Sequence, residues 1–169
     1  MSEKIENDAI EFRVAEHMTL GDYLGYGSSS FLFAPDKLPL LPKELEKHLR
    51  HLTWQREDLL KRVGDLSPKE LMRKPTGKRS LLEILQHVQE AERAYPRPMP
   101  RLPVTTDIFE KMEFTRRDVI ARLNEIAAHD HGEIVMHGKS PSTARRVLRR
   151  VLEHDWEHLQ EIRTRLEKH

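Results

Sequence analysis

Two histidines, His154 and His158, stand four residues apart in a stretch of helical periodicity. Residues i and i+4 share one helix face, with Cβ atoms about 5–6 Å apart. Two imidazoles so placed can converge on one metal ion at roughly 2.0–2.1 Å from each nitrogen. A third, His87, lies midway along another helical segment, one turn from Ile84 and Ala91 on the inward side. The three together could form a facial three-nitrogen set that leaves a coordination position open, as a catalytic metal needs. Neutral nitrogen donors without sulfur suit zinc, nickel, cobalt or iron(II), and the sequence does not choose among them. The chain has no Cys, so it offers no thiolate ligand of its own. A buried imidazole loses free energy unless it finds a partner, and a shared cation would serve all three at once.

The string His154-Asp155-Trp156-Glu157-His158 has the spacing of the HExxH zinc-protease helix, with Asp in the place of Glu. The shorter acid would reach a metal-bound water poorly, and the position six past His158, where a third His is needed, is Thr164. The protease reading is therefore rejected. Asp155 is instead expected to orient a ligand histidine by accepting its second ring proton. The remaining histidines are expected to be solvated: His48 and His51 flank an apolar stripe, with His51 able to line the mouth of the site, and His129, His131 and His137 cluster in a loop. Arg145, Arg146, Arg149 and Arg150 read as a solvated basic face. Trp54 and Trp156 read as packing residues, and Arg56, set in an apolar stripe, would need an acid partner if buried.

These side chains must be carried by helices. The chain has 169 residues, enough for one domain. A hydrophobic share of 37% beside a charged share of 34% suits helices with one apolar stripe each. A net charge of +1 supplies no global field to attract nucleic acid or an anionic membrane. No apolar run reaches the length of a membrane span, and the first residues lack the apolar core of a signal peptide, so a cytoplasmic protein is expected.

Pro42 and Gly64 bracket the first helix, striped by Leu45, Leu49, Leu52, Arg56, Leu59, Leu60 and Val63. Ser67 with Glu70 and Ser80 with Glu83 are capping boxes that open a short helix and a longer second one, which Pro96 ends. Residues 96–106 carry four prolines. In polyproline form, at about 3.1 Å per residue, they can reach roughly 30 Å, the height of a bundle. The third helix could then run parallel to the second. It starts at Asp107 or at the capping box Thr115-Asp118 and stops near Gly132. Ser140-Pro141 is expected to open the fourth helix, running to Leu166. The chain thus reads as an all-α four-helix bundle over residues 41–169. Residues 1–40 lack helical periodicity and read as an N-terminal arm or remnant, with a strand-like Glu11-Phe12-Arg13-Val14 and a Gly-rich stretch from Gly21 to Gly27.

Over about residues 43–167 the chain resembles the DinB/YfiT-like metal-binding four-helix bundles. The resemblance rests on Ser80-Leu81-Leu82-Glu83-Ile84-Leu85-Gln86-His87-Val88, followed by Glu92 and Tyr95, and on His154-Asp155-Trp156-Glu157-His158-Leu159-Gln160-Glu161-Ile162. Gln160-Glu161-Ile162 stands where the family often has Gly-Gln-Ile. The resemblance implies an up-down-down-up bundle with a long crossover between its second and third helices. It also implies a divalent metal, for which zinc or nickel is the expectation, at His87, His154 and His158. A homodimer is implied too, and for some members a transferase that activates a low-molecular-weight thiol. A metal-dependent hydrolase at the same site and a non-catalytic, dimerising interaction protein stay open beside the transferase.

Overall fold

The computed structural model describes residues 32–137 and 140–167. The strand-like and Gly-rich readings within residues 1–31 lie outside the described residues. Five α-helices dominate the described residues: α1 (Pro42–Val63), α2 (Pro68–Met72), α3 (Leu81–Ala94), α4 (Ile108–Ala128) and α5 (Ala144–Leu166). No helix among the described residues is long and apolar enough to cross a membrane.

Local chemistry sets the helix ends. Pro42 occupies the first turn of α1, where its missing N–H costs nothing. Both capping boxes form in full: Ser67 and Glu70 satisfy each other's backbone at α2, and Ser80 and Glu83 do so at α3. Of the two starts expected for α4, Asp107 is the one used, accepting from the Phe109 N–H at 2.8 Å. Thr115 is instead fully buried inside α4, where its hydroxyl takes the Gln89 amide of α3 at 2.7 Å. A tertiary bond has claimed the group that the local pattern would use as a cap.

The start of the last helix corrects the sequence reading. Ser140-Pro141 does not open it. Ser140–Ser142 is strand β2, paired antiparallel with β1 (Val135–His137), and Met136 stands opposite Pro141. A two-stranded sheet leaves each strand an outer edge, where proline's lack of a donor is tolerated. Thr143 caps α5 through the Arg146 N–H and also donates to the Asp36 carbonyl at 2.6 Å.

That second bond ties down the segment before α1. Leu32, Asp36 and Leu40 are buried. The Asp36 carboxylate takes Arg149 Nη2 at 2.6 Å and Arg149 Nε at 2.9 Å. Leu40 N–H donates to Asp130 at 2.6 Å. Residues 32–40, read from sequence as part of a separate arm, therefore pack onto α5 and the loop after α4.

The core falls into two apolar layers. One collects Leu59 and Val63 of α1, Ile84, Leu85 and Val88 of α3, Ile108 and Met112 of α4, and Leu159 and Ile162 of α5. The other collects Leu45 and Leu52 of α1, Val119 and Leu123 of α4, and Val147, Leu148 and Val151 of α5, with Tyr95 and Met99 against it. Between the layers, each long helix contributes one buried charge: Arg56, Glu92, Arg116 and Asp155. Arg56 Nη2 meets Glu92 at 2.8 Å, and Arg116 bonds both Glu92 and Asp155. The guanidiniums also donate to backbone carbonyls, Arg56 to Met112 at 3.1 Å and Arg116 to Leu52 at 2.6 Å. Two cations and two anions cancel, and the acid partner expected for Arg56 is Glu92. Burial still pushes the Glu92 carboxyl above its usual range, with the two guanidiniums opposing and Asp155 reinforcing it. This layer fixes the rotation of α5 at Asp155, the residue next to His154.

Candidate metal centre

The spacing of apolar positions on α3 buries Ile84, Leu85 and Val88 and leaves His87 half-buried at the seam with α5. On α5, Val151, Asp155, Leu159 and Ile162 face inward, which turns His154 into the same seam with His158 one turn on. The three imidazoles meet. His87 Nε2 and His154 Nε2 are 3.2 Å apart. Ring centroids lie 5.0 Å apart for His87–His154 and His87–His158, and 4.5 Å apart for His154–His158. One donor nitrogen from each residue lies within 4.8 Å of the others, and this is the only three-ligand group of its kind among the described residues.

The three nitrogens could hold a divalent cation, and the His87–His154 pair already stands at the spacing one requires. Two nitrogens about 2.05 Å from one ion at a near-tetrahedral angle stand about 3.3 Å apart, close to the observed 3.2 Å. Burial, then the charges His158 and His87 would carry, push the His154 imidazole down to about 4. His87 is lowered too, by burial first and then by Arg79 and His158. At neutral pH both rings are therefore uncharged, with lone pairs available to an ion. His158 faces Glu161 through Nδ1 at 2.9 Å, which fixes the proton there and leaves Nε2 for the site. Glu161 is in turn held by Arg165. His154 Nδ1 is buried with no protein partner. The site opens on a cavity of about 660 Å³ lined also by Arg150, Trp156 and Gln160. That volume suits a small-molecule ligand.

A family model for the DinB superfamily matches residues 51–162. The chain belongs to the DinB superfamily. No curated protein and no solved structure matches it. The matched span of this DinB-superfamily chain contains all three histidines, both acids of the charged layer and Glu161.

Several neighbouring expectations need correction. Asp155 does not orient a ligand histidine: its bonded oxygen belongs to Arg116, and its other oxygen has no partner. The carboxylate that meets a histidine of the trio is Glu161, at His158. The i,i+3 spacing from His158 was the available signal. The arginine run of α5 is no solvated face. Arg146 and Arg150 are buried, Arg145 pairs with Glu44, and Arg149 pairs with Asp36 and Glu153. Trp54 and Trp156 are about half exposed rather than packed. His48 and His51 are half-buried and stack edge to face at 5.8 Å, and neither lines the His87 cavity. The solvated reading of His129, His131 and His137 holds: all three are exposed, and they share another cavity with Arg97 and Arg122 without converging on a point.

Proposed function

We propose that this DinB-superfamily chain is a metal-dependent enzyme whose His87, His154 and His158 hold zinc or nickel. Its activity is taken to be transfer of a low-molecular-weight thiol onto an electrophile. The observation that carries the reading is the convergence of three imidazole nitrogens at the wall of an open cavity. A bound divalent cation supplies Lewis acidity, which stabilises a thiolate at neutral pH. The chain's own residues do the rest. His87 and His154 stay neutral and present lone pairs. Glu161 keeps the His158 proton on Nδ1. Arg150 puts a guanidinium at the cavity wall, braced by Glu153 at 2.9 Å, where it can take an anionic group of a substrate. No cysteine of the protein competes as nucleophile.

The up-down-down-up course belongs to the same proposal. One apolar layer draws on the C-terminal halves of α1 and α5 and the N-terminal halves of α3 and α4. The other layer draws on the opposite ends, which supports parallel α3 and α4 joined by the 96–106 crossover. A homodimer in the cytoplasm is the expected setting, with residues 41–169 as the catalytic unit.

The test is a thiol panel offered to zinc- or nickel-loaded protein with a chromogenic electrophile. Turnover that saturates with thiol and disappears in His154→Ala supports the transferase. Turnover independent of thiol moves the activity to metal-dependent hydrolysis. No turnover with metal bound leaves an interaction protein.

A further inference from the structure

Away from the histidines, a cavity of about 230 Å³ lies among α2, the loop of residues 73–78, the start of α3 and the last turn of α5. Leu81 and Leu166 give it an apolar lining, and Arg73, Lys78 and Arg165 stand around it with a single acid, Glu70. That acid is already committed to the cap of α2. It accepts from Ser67 N at 2.8 Å and Ser67 Oγ at 2.6 Å, and these bonds hold its carboxyl below the usual range. Arg73 and Lys78 form no ion pair among the described residues. An apolar hollow walled by three cations and one acid is complementary to a carboxylate on an apolar body. The volume is below the roughly 300–1,000 Å³ of sites for drug-sized ligands, so the ligand must be small.

The third cation links this cavity to the histidines. Arg165 donates to Glu161 and to the Arg79 carbonyl, and the second Glu161 oxygen takes the His158 ring proton at 2.9 Å. The cavity wall is thus two bonds from a proposed metal ligand. We propose that the cavity binds a small aromatic or aliphatic carboxylate and that its occupancy is felt at the metal centre through Arg165, Glu161 and His158. A carboxylate that shares Arg165 leaves more of the Glu161 charge on the His158 proton. That makes the imidazole a stronger donor to a cation. The cavity stands on its own geometry, while its coupling to the metal rests on the function proposed above.

Benzoate titrated into metal-free protein, followed by calorimetry and by proton–nitrogen NMR shifts, tests the site. Benzoate should bind in the millimolar range or tighter and perturb the amides of Leu81 and Leu166. Its affinity should fall about tenfold in Arg73→Ala/Lys78→Ala, as loss of two charge-assisted contacts requires. Equal binding of uncharged benzyl alcohol, or full affinity in the double variant, overturns the site. With saturating zinc, benzoate should bind about threefold tighter, and benzoate should tighten zinc by the same factor. The gain should vanish in Glu161→Gln. Unchanged affinity beside bound zinc overturns the coupling. Failure of zinc to bind removes the metal function and the coupling with it, while the cavity stands or falls by the titration on metal-free protein.

Discussion

Glu161→Gln isolates the one contact that orients a proposed metal ligand from outside. The carboxylate accepts from His158 Nδ1 at 2.9 Å with one oxygen and from Arg165 with the other. Glutamine keeps the shape and can still accept one bond, so the variant removes mainly charge. Partners of metal-ligating histidines typically contribute 10–100-fold to metal affinity. The Glu161 side chain is 35% exposed, so solvent screens part of its charge and the lower end applies. The expected loss is about tenfold in zinc affinity, or about 1.4 kcal/mol. Competition against a chromophoric chelator at neutral pH measures it, with His154→Ala as the reference for loss of a ligand. Metal-free melting should move little, because a partly exposed pair on one helix contributes about 0.5 kcal/mol or less. Unchanged zinc affinity in Glu161→Gln, with His154→Ala still defective, would refute the reasoning that a charged partner tunes His158.

Glu92→Ala leaves Arg56 and Arg116 buried without their shared acid, and should cost about 3–5 kcal/mol by urea unfolding. A cost under about 1 kcal/mol would show that the charged layer does not hold the helices together. Gly132 has φ +79° and a Cβ there would meet Pro39 at 3.2 Å, so Gly132→Ala should lower stability by about 1 kcal/mol or more, read by the same unfolding curve. In metal-free protein the His154 imidazole is held down to about 4 against an ordinary 6.5. The unfolded chain then takes up the proton first. His154 therefore contributes fully above about pH 6.5, and its contribution is lost as pH falls from there toward 4. His87 is shifted in the same direction. Melting temperatures across that window should fall less in His154→Gln than in the parent, and identical slopes would contradict the burial of His154.

Helix existence was legible because caps and stripes agree: Ser80, Glu83 and the run Leu81, Ile84, Leu85, Val88 say the same thing about α3. The histidine trio was legible for the same reason. An i,i+4 pair and a third ring in inward phase need no tertiary knowledge beyond which faces meet. What failed to show depends on partners distant in sequence. Thr115 looks like a cap until Gln89 takes its hydroxyl. The arginines of α5 look solvated because Asp36 and Glu44, which neutralise Arg149 and Arg145, lie more than a hundred residues earlier. Their long stems can be buried while their heads find partners. The paired strands 135–137 and 140–142 are too short for a period-two pattern to stand out, and Pro141 argued against a strand. Asp155 was assigned to a histidine by adjacency in sequence. One step along a helix turns a side chain by about 100°, so it faces Arg116 in the charged layer instead.

The most direct measurement is elemental analysis of untagged protein after loading with zinc or nickel and exhaustive dialysis, repeated on His87→Ala, His154→Ala and His158→Ala. The account predicts one divalent ion per chain in the parent and loss of that stoichiometry in each variant. A parent that retains no ion, or variants that retain as much as the parent, would contradict it.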